Sequence, residues 1–157
     1  MNFIYLIIGL LLRILPAIRG RHRLQSWWLN RGYSGAPRIG KTPSAAKLWC
    51  DLSIPFEAVV WLGREEWDDT RRLADLLQPG QYFIDVGANI GTWTLEAACH
   101  VQATGRVLAF EPNPDTAAKL KANVVLNDMD EIIHVQTCAV SSEPGYVAMT
   151  CATEHNL

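Results

Sequence analysis

The chain has 157 residues, enough for one domain, and its 49% hydrophobic and 19% charged content is that of a globular protein, which excludes a disordered or fibrous chain. The net charge of -2 conceals an asymmetry: eight Arg and Lys and no acidic residue precede Asp51, so all 16 acidic residues lie in the remainder. The two parts of the chain do different jobs.

Phe3 to Leu15 is apolar on every side of a helix, interrupted only by Arg13 and followed by Pro16. A full membrane span needs roughly 20 residues, so this run is short for one. It lacks the basic start of a secretory signal and is too apolar for a transit peptide. Three readings stay open: a helix packed on the domain as core, an interfacial helix, or a signal anchor. The interfacial reading makes residues 1–28 a membrane surface, with Arg19, Arg21 and Arg23 at anionic headgroups and Trp27 and Trp28 at the water boundary. The same arginines could contact nucleic acid, but no recognisable binding motif accompanies them, so no nucleic-acid partner is expected.

Residues 30–47 are rich in Gly, Pro and Ser without a sustained period and read as a linker, so residues 1–47 form an N-terminal helix plus linker and 48–157 a domain. Gly40-Lys41-Thr42 has no strand ahead of it and is a chance match to a phosphate loop. Leu48 to Leu52 and Phe56 to Leu62 read as two short strands separated at Pro55. From Glu65, Leu73, Leu76 and Leu77 fall at helical spacing, with Pro79-Gly80 as the stop.

Tyr82 to Val86 suits a strand buried on both faces, and Thr92 to Val101 a helix, joined by the turn Gly87-Ala88-Asn89-Ile90-Gly91. Such a turn brings backbone N–H groups and a helix N-terminus to one point, where glycine allows a ligand to come close. A phosphate loop would need Gly-Lys-Ser/Thr at its end, and a dinucleotide fingerprint would need glycine where Asn89 stands. Asp85 at the strand tip repels a pyrophosphate and attracts an amino group, a sulfonium or hydroxyls, all of which S-adenosylmethionine carries. The plainer alternative is that Asp85 only caps the turn.

Arg106 to Phe110 reads as a second strand ending at Glu111, where βαβ units hold ribose hydroxyls with an acid. Asn113 as N-cap and Pro114 as first residue open a helix with Ala117, Leu120 and Val124 on one face, ending near Asn127-Asp128. Ile132 to Val140 supplies a third parallel strand, and Tyr146 to Thr150 a short one after the turn at residues 141–145. The nucleoside-binding core is residues 81–140.

Asp85-Val86-Gly87-Ala88-Asn89-Ile90-Gly91 with Thr94-Leu95, then Phe110-Glu111-Pro112-Asn113, then Cys138-Ala139-Val140-Ser141 before Gly145, resembles the FkbM family of S-adenosylmethionine-dependent methyltransferases over about Gly63 to Met149. The resemblance implies an α/β, Rossmann-like methyltransferase fold, here an incomplete parallel sheet of the first three strands with an N-terminal helical extension. It implies S-adenosylmethionine as cofactor and O-methylation of a small-molecule hydroxyl acceptor, a sugar or related metabolite. The cofactor-binding residues it implies are Asp85, Gly87, Ala88, Asn89, Gly91, Thr92, Glu111, Asn113 and Ala139, with Ala139 and Cys138 beside adenine. Gly63, Glu65 and Glu66 match a glycine and acids near the cofactor mouth, although solvent-facing acids at a helix start account for them too. No residue is assigned as catalytic base, and the oligomeric state is left open.

The family continues with further strands, so the chain reads as the N-terminal part of a methyltransferase, its first parallel strand left with an unprotected edge. Two alternatives are an inactive, truncated membrane-associated fragment that needs a partner, and a nicotinamide-dependent oxidoreductase. Four cysteines without a Cys-x-x-Cys pair read as a reduced cytoplasmic protein, and no His or Cys has metal-ligand spacing.

Overall fold

A computed structural model describes residues 2–14, 21–30, 36–63, 67–146 and 148–149. Three parallel strands form the centre: β3 (Tyr82–Val86), β4 (Arg106–Phe110) and β5 (Ile133–Gln136), in the order β3-β4-β5. Helix α6 (Thr92–Val101) connects the first two and α7 (Pro114–Leu126) the second pair. The architecture is α/β and Rossmann-like.

In the sheet register Phe83 lies beside Val107 and Val107 beside Ile133, while Asp85 lies beside Ala109 and Ala109 beside Val135. Val107, Ala109 and Ile133 from this face are buried in one core with Leu95, Ala98 and Val101 of α6 and Leu120 and Val124 of α7. The strand order advances in one direction, so two right-handed crossovers put both helices on the same side. The opposite face of β3 therefore differs from expectation. Tyr82, Ile84 and Val86 are 60–80% exposed, because among the described residues no helix covers them.

The N-terminal part is built from α1 (Asn2–Ile14), α2 (Arg21–Leu29), the antiparallel hairpin β1 (Arg38–Lys41) and β2 (Lys47–Cys50), and α3 (Pro55–Leu62). Leu12, Trp28 and Trp61 are buried in the shared core, Trp28 stacks on Trp61 at 6.0 Å, and the Trp28 indole N–H donates to the Tyr5 carbonyl at 2.8 Å. Arg13 lies 4.8 Å above the Trp61 ring, a cation–π contact. Helix α1 thus packs on the domain, and Trp28 is core rather than a residue of the water boundary.

Several local expectations are corrected. The linker contains β1, closed by the Thr42 N–H donating to the Ala46 carbonyl at 2.8 Å across a turn with Ala45 at φ 69°. Phe56 to Leu62 is helix, not strand: Pro55 occupies the first turn, and Gly63 ends α3 in the left-handed conformation, donating to Val59 at 3.1 Å. The single helix expected before Pro79 is two short ones, α4 (Trp67–Thr70) and α5 (Leu73–Leu76). β5 stops at Gln136, because the backbone beyond it pairs no further with β4. No strand is found at 146, 148 or 149. Leu15, Pro16, Arg19, Glu65, Glu66, Val147 and Thr150 lie outside the described residues.

Candidate functional site

Asp85 near the end of β3 and Glu111 just past β4 are brought together by the parallel pairing of the two strands, with the 87–91 turn beside them. The turn is held from within. Gly87 and Ala88 both donate to the Phe110 carbonyl, at 2.9 and 3.0 Å, Gly91 donates to Ala88 at 2.9 Å, and the Ile90 N–H is taken by the Asn89 side chain at 2.8 Å. The Asn89 N–H donates to one oxygen of buried Glu111 at 2.9 Å, and the Asn113 N–H to the other at 2.9 Å.

That pattern changes what the turn can do. A phosphate cradle aims free N–H groups at its ligand, whereas these donors are engaged with Phe110, Glu111 and the turn itself. Recognition is left to the carboxylates and to shape. The glycines divide the work: Gly87, at φ 82°, faces space where an added Cβ would meet nothing within 4 Å. Gly91, at φ 99°, would put a Cβ 2.4 Å from Leu120 Cδ1, so its close approach is to α7 rather than to a ligand. Ala88 and Thr92 are buried, and Asn89 holds a positive φ of 49°.

Asp85 accepts a hydrogen bond from the Thr94 hydroxyl on the first turn of α6. Burial pushes its carboxyl above the usual carboxylate range; Thr94 opposes the rise and the nearby Glu111 charge adds to it. Glu111 retains acceptor capacity on both oxygens beyond its two backbone bonds, since each has two lone pairs. The Asn113 side chain caps α7, accepting from Asp115 at 2.9 Å and Thr116 at 3.2 Å. Ala139 and Cys138 are exposed on an open cleft of about 870 Å3, which also touches Pro112 and Ser141.

Behind the turn stand residues that sequence reasoning missed. Asn123, fully buried on α7, donates to the Ile90 carbonyl at 2.9 Å and accepts from the Trp49 N–H at 2.8 Å, tying the turn to β2. Asn127, one helical turn on, accepts from the Lys47 N–H and donates to the Lys47 carbonyl, both at 2.7 Å. Glu96, buried on α6, accepts from the Ser44 N–H at 3.0 Å and the Ser44 hydroxyl at 2.8 Å, with His100 at 3.2 Å. A polar residue three after Leu120 on the apolar face of α7 was the available signal for Asn123. Among the described residues no group of three or more His, Cys, Asp or Glu could hold a metal ion.

The model of the TRM5/TYW2 methyltransferase domain family matches residues 47–149. A Streptomyces tacrolimicus 31-O-demethyl-FK506 methyltransferase, FkbM, is 45% identical over 75 residues, 47% of this chain and 27% of that protein. A Leishmania major tRNA (guanine(37)-N(1))-methyltransferase is 32% identical over 80 residues, 51% of this chain and 11% of that protein. The chain therefore spans well under half the length of these relatives. Among solved structures, P. horikoshii TYW2 in complex with MeSAdo has a TM-score of 0.57 at 18% identity, covering 79% of this chain and 50% of that one. The complex of aTrm5 and tRNALeu gives 0.52 at 19% identity, covering 66% and 28%.

These findings support methyl transfer without singling out FkbM, and they give the nicotinamide reading no support. They also overturn the expectation of a small-molecule acceptor and no nucleic acid. The matched family is named for TRM5 and TYW2, and aTrm5 was solved with tRNA. The absence of a nucleic-acid motif in the basic N-terminal part was no guide, because the matched domain begins at residue 47, beyond most of it.

Proposed function

Since the chain belongs to the TRM5/TYW2 methyltransferase domain family, we propose that it holds S-adenosylmethionine at the ends of β3 and β4 and serves methyl transfer to a nucleic acid. The cofactor is S-adenosylmethionine, and the residues present fit it. Space opens over Gly87, a carboxylate stands on either side of the turn, and small residues line the cleft beyond β5.

Asp85, ionised, attracts the ammonium of the amino acid portion, and Thr94 fixes which way the carboxylate faces. Glu111 accepts from the ribose hydroxyls with the lone pairs its backbone bonds leave over. Gly87 lets the ligand lie against the main chain, and Ala139 and Cys138 leave room for a flat adenine ring. Ala88, Asn89, Gly91, Thr92 and Asn113 act one step back, by keeping the turn and both helix starts in place. Bound S-adenosylmethionine supplies an electrophilic methyl carbon that an acceptor nucleophile takes as the carbon–sulfur bond breaks, releasing S-adenosylhomocysteine. The chain's own contribution is alignment.

The observation that carries this reading is the pair of carboxylates flanking a turn whose own N–H groups are already satisfied. Calorimetric titration of the chain with S-adenosylhomocysteine tests it: saturable binding is expected, lost in Asp85→Ala and Glu111→Ala, and a folded chain that binds nothing would refute it. Transfer of a labelled methyl group to a tRNA transcript tests the acceptor separately. Binding without transfer to RNA would reject the nucleic-acid half and leave the cofactor half standing.

A further inference from the structure

Helix α1 is apolar on two opposite sides, and among the described residues the domain packs against one of them. Tyr5, Ile8 and Leu12 face the core, where an added Cβ on Gly9 would come within 2.8 Å of both the Trp28 and Trp61 rings. Ile4, Ile7, Leu10, Leu11 and Ile14 are instead 41–71% exposed. At 3.6 residues per turn these five fall within about 120° of the helix circumference, a single continuous stripe. Helix α2 extends the patch with exposed Leu24 and Trp27, the latter stacked on Tyr5 at 5.9 Å, and Arg23 beside them is exposed too.

Three occupants would cover an apolar stripe set in a positively charged segment, and the charge separates them. A second copy in a two-fold dimer pairs a patch with itself, so it would bring together two segments that each carry Arg13, Arg19, Arg21 and Arg23 and no acid in residues 1–30. Like charges oppose that arrangement. A nucleic acid would satisfy the arginines but offers its phosphates, not an apolar surface, to Ile and Leu. An anionic bilayer satisfies both, taking the stripe below the headgroups and the cations among them. With 13 residues α1 cannot cross, and among the described residues no helix is long and apolar enough to do so.

We infer that the α1–α2 face is a docking surface for an anionic lipid bilayer, with Ile4, Ile7, Leu11 and Ile14 inserted and the helix lying in the plane of the interface. The inference is independent of the methyl-transfer reading, because the stripe lies on α1 and α2 whereas the turn and its carboxylates lie at the ends of β3 and β4.

Flotation of the whole chain with vesicles of phosphatidylcholine plus phosphatidylglycerol, against phosphatidylcholine alone, tests it. The chain should float with the anionic vesicles and more weakly with the neutral ones. Ile7→Ser/Leu11→Ser should lower partitioning by roughly tenfold or more, since each buried methylene contributes to interfacial binding. Arg23→Gln should lower it about fivefold on anionic vesicles and leave the neutral ones unchanged. Unchanged melting temperatures in both variants would place the effect at the surface rather than in folding. The inference is overturned if the chain fails to float, or if the double serine variant floats equally well. It is equally overturned by a dimer that the serines dissociate, or by tRNA binding that Arg23→Gln weakens in a chain that ignores vesicles.

Discussion

Asp85 is asked to be charged for a ligand in a place that disfavours charge. Its pKa is raised on folding by burial first and by Glu111 as well, with Thr94 opposing. A raised folded pKa stabilises the protein fully below the unfolded value and loses that contribution as pH rises through the folded one. At neutral pH the ionised carboxylate is therefore a burden on the fold. Asp85→Asn should melt at a higher temperature than the parent at neutral pH, with the gap closing in acid, as thermal melts across pH would record. The same variant should bind S-adenosylhomocysteine roughly tenfold to a hundredfold more weakly, the range for a lost charge-assisted hydrogen bond. In the parent, affinity should start to fall at a higher pH than an ordinary aspartate would dictate. The two glycines give a second contrast. Gly91→Ala meets Leu120 and a left-handed backbone, and should cost roughly 2–4 kcal/mol in denaturant unfolding. Gly87→Ala meets open space, so it should cost only about 1–2 kcal/mol of backbone strain, with its main effect on ligand affinity. Cysteine chemistry follows burial: Cys50, pushed up to about 12, should resist maleimide, whereas exposed Cys138 should react and be shielded by S-adenosylhomocysteine.

At the scale of elements, the hairpin and the cofactor turn share one fastening. Asn123→Leu keeps the shape of the side chain but leaves the Ile90 carbonyl and the Trp49 N–H without this partner. It should lower stability by roughly 2–4 kcal/mol and weaken S-adenosylhomocysteine binding as well. Asn127→Ala loosens the Lys47 end of the hairpin and takes a donor from the Asn123 carbonyl, but leaves the Asn123 side chain its bonds to Ile90 and Trp49, so it should cost about 1–2 kcal/mol with affinity little changed. Calorimetry on both variants separates a fastening of the turn from a fastening of the hairpin. These bonds also explain what the sequence could and could not disclose. β3, α6, β4 and α7 were legible because their signals are local: a glycine turn, Asn113 before Pro114, and apolar residues at one period. β1 was not, because Arg38 to Lys41 has no pattern of its own and its hairpin is held by side chains about 80 residues away. Helix α3 stands where a strand is expected because a seven-residue run that is apolar except for Glu57 satisfies strand and helix alike. Pro55 and Gly63, first-turn proline and left-handed stop, are the local marks of the helix.

For the whole molecule, the side of the sheet that no described helix covers sets behaviour in solution. Tyr82, Ile84 and Val86 form an apolar row on the strand at the edge of the three-stranded sheet. Exposed apolar edge strands associate, so light scattering should rise with concentration, and Ile84→Thr/Val86→Thr should suppress it. The candidate site was legible to the extent that Asp85 and Glu111 stand at adjacent strand ends, which parallel pairing brings together. Its depth was not, because neither the capture of every turn N–H nor the support from α7 leaves a mark on a linear pattern. The self-satisfied turn bears on the speed of the ligand's arrival as well as its strength. A loop that must gather its own donors around a ligand waits for a rare conformation, and its association rate levels off as ligand is added. Here Phe110, Glu111 and Asn89 have already closed the turn. Stopped-flow traces should therefore be single exponentials whose rate climbs in proportion to ligand concentration, with the encounter itself as the slow event.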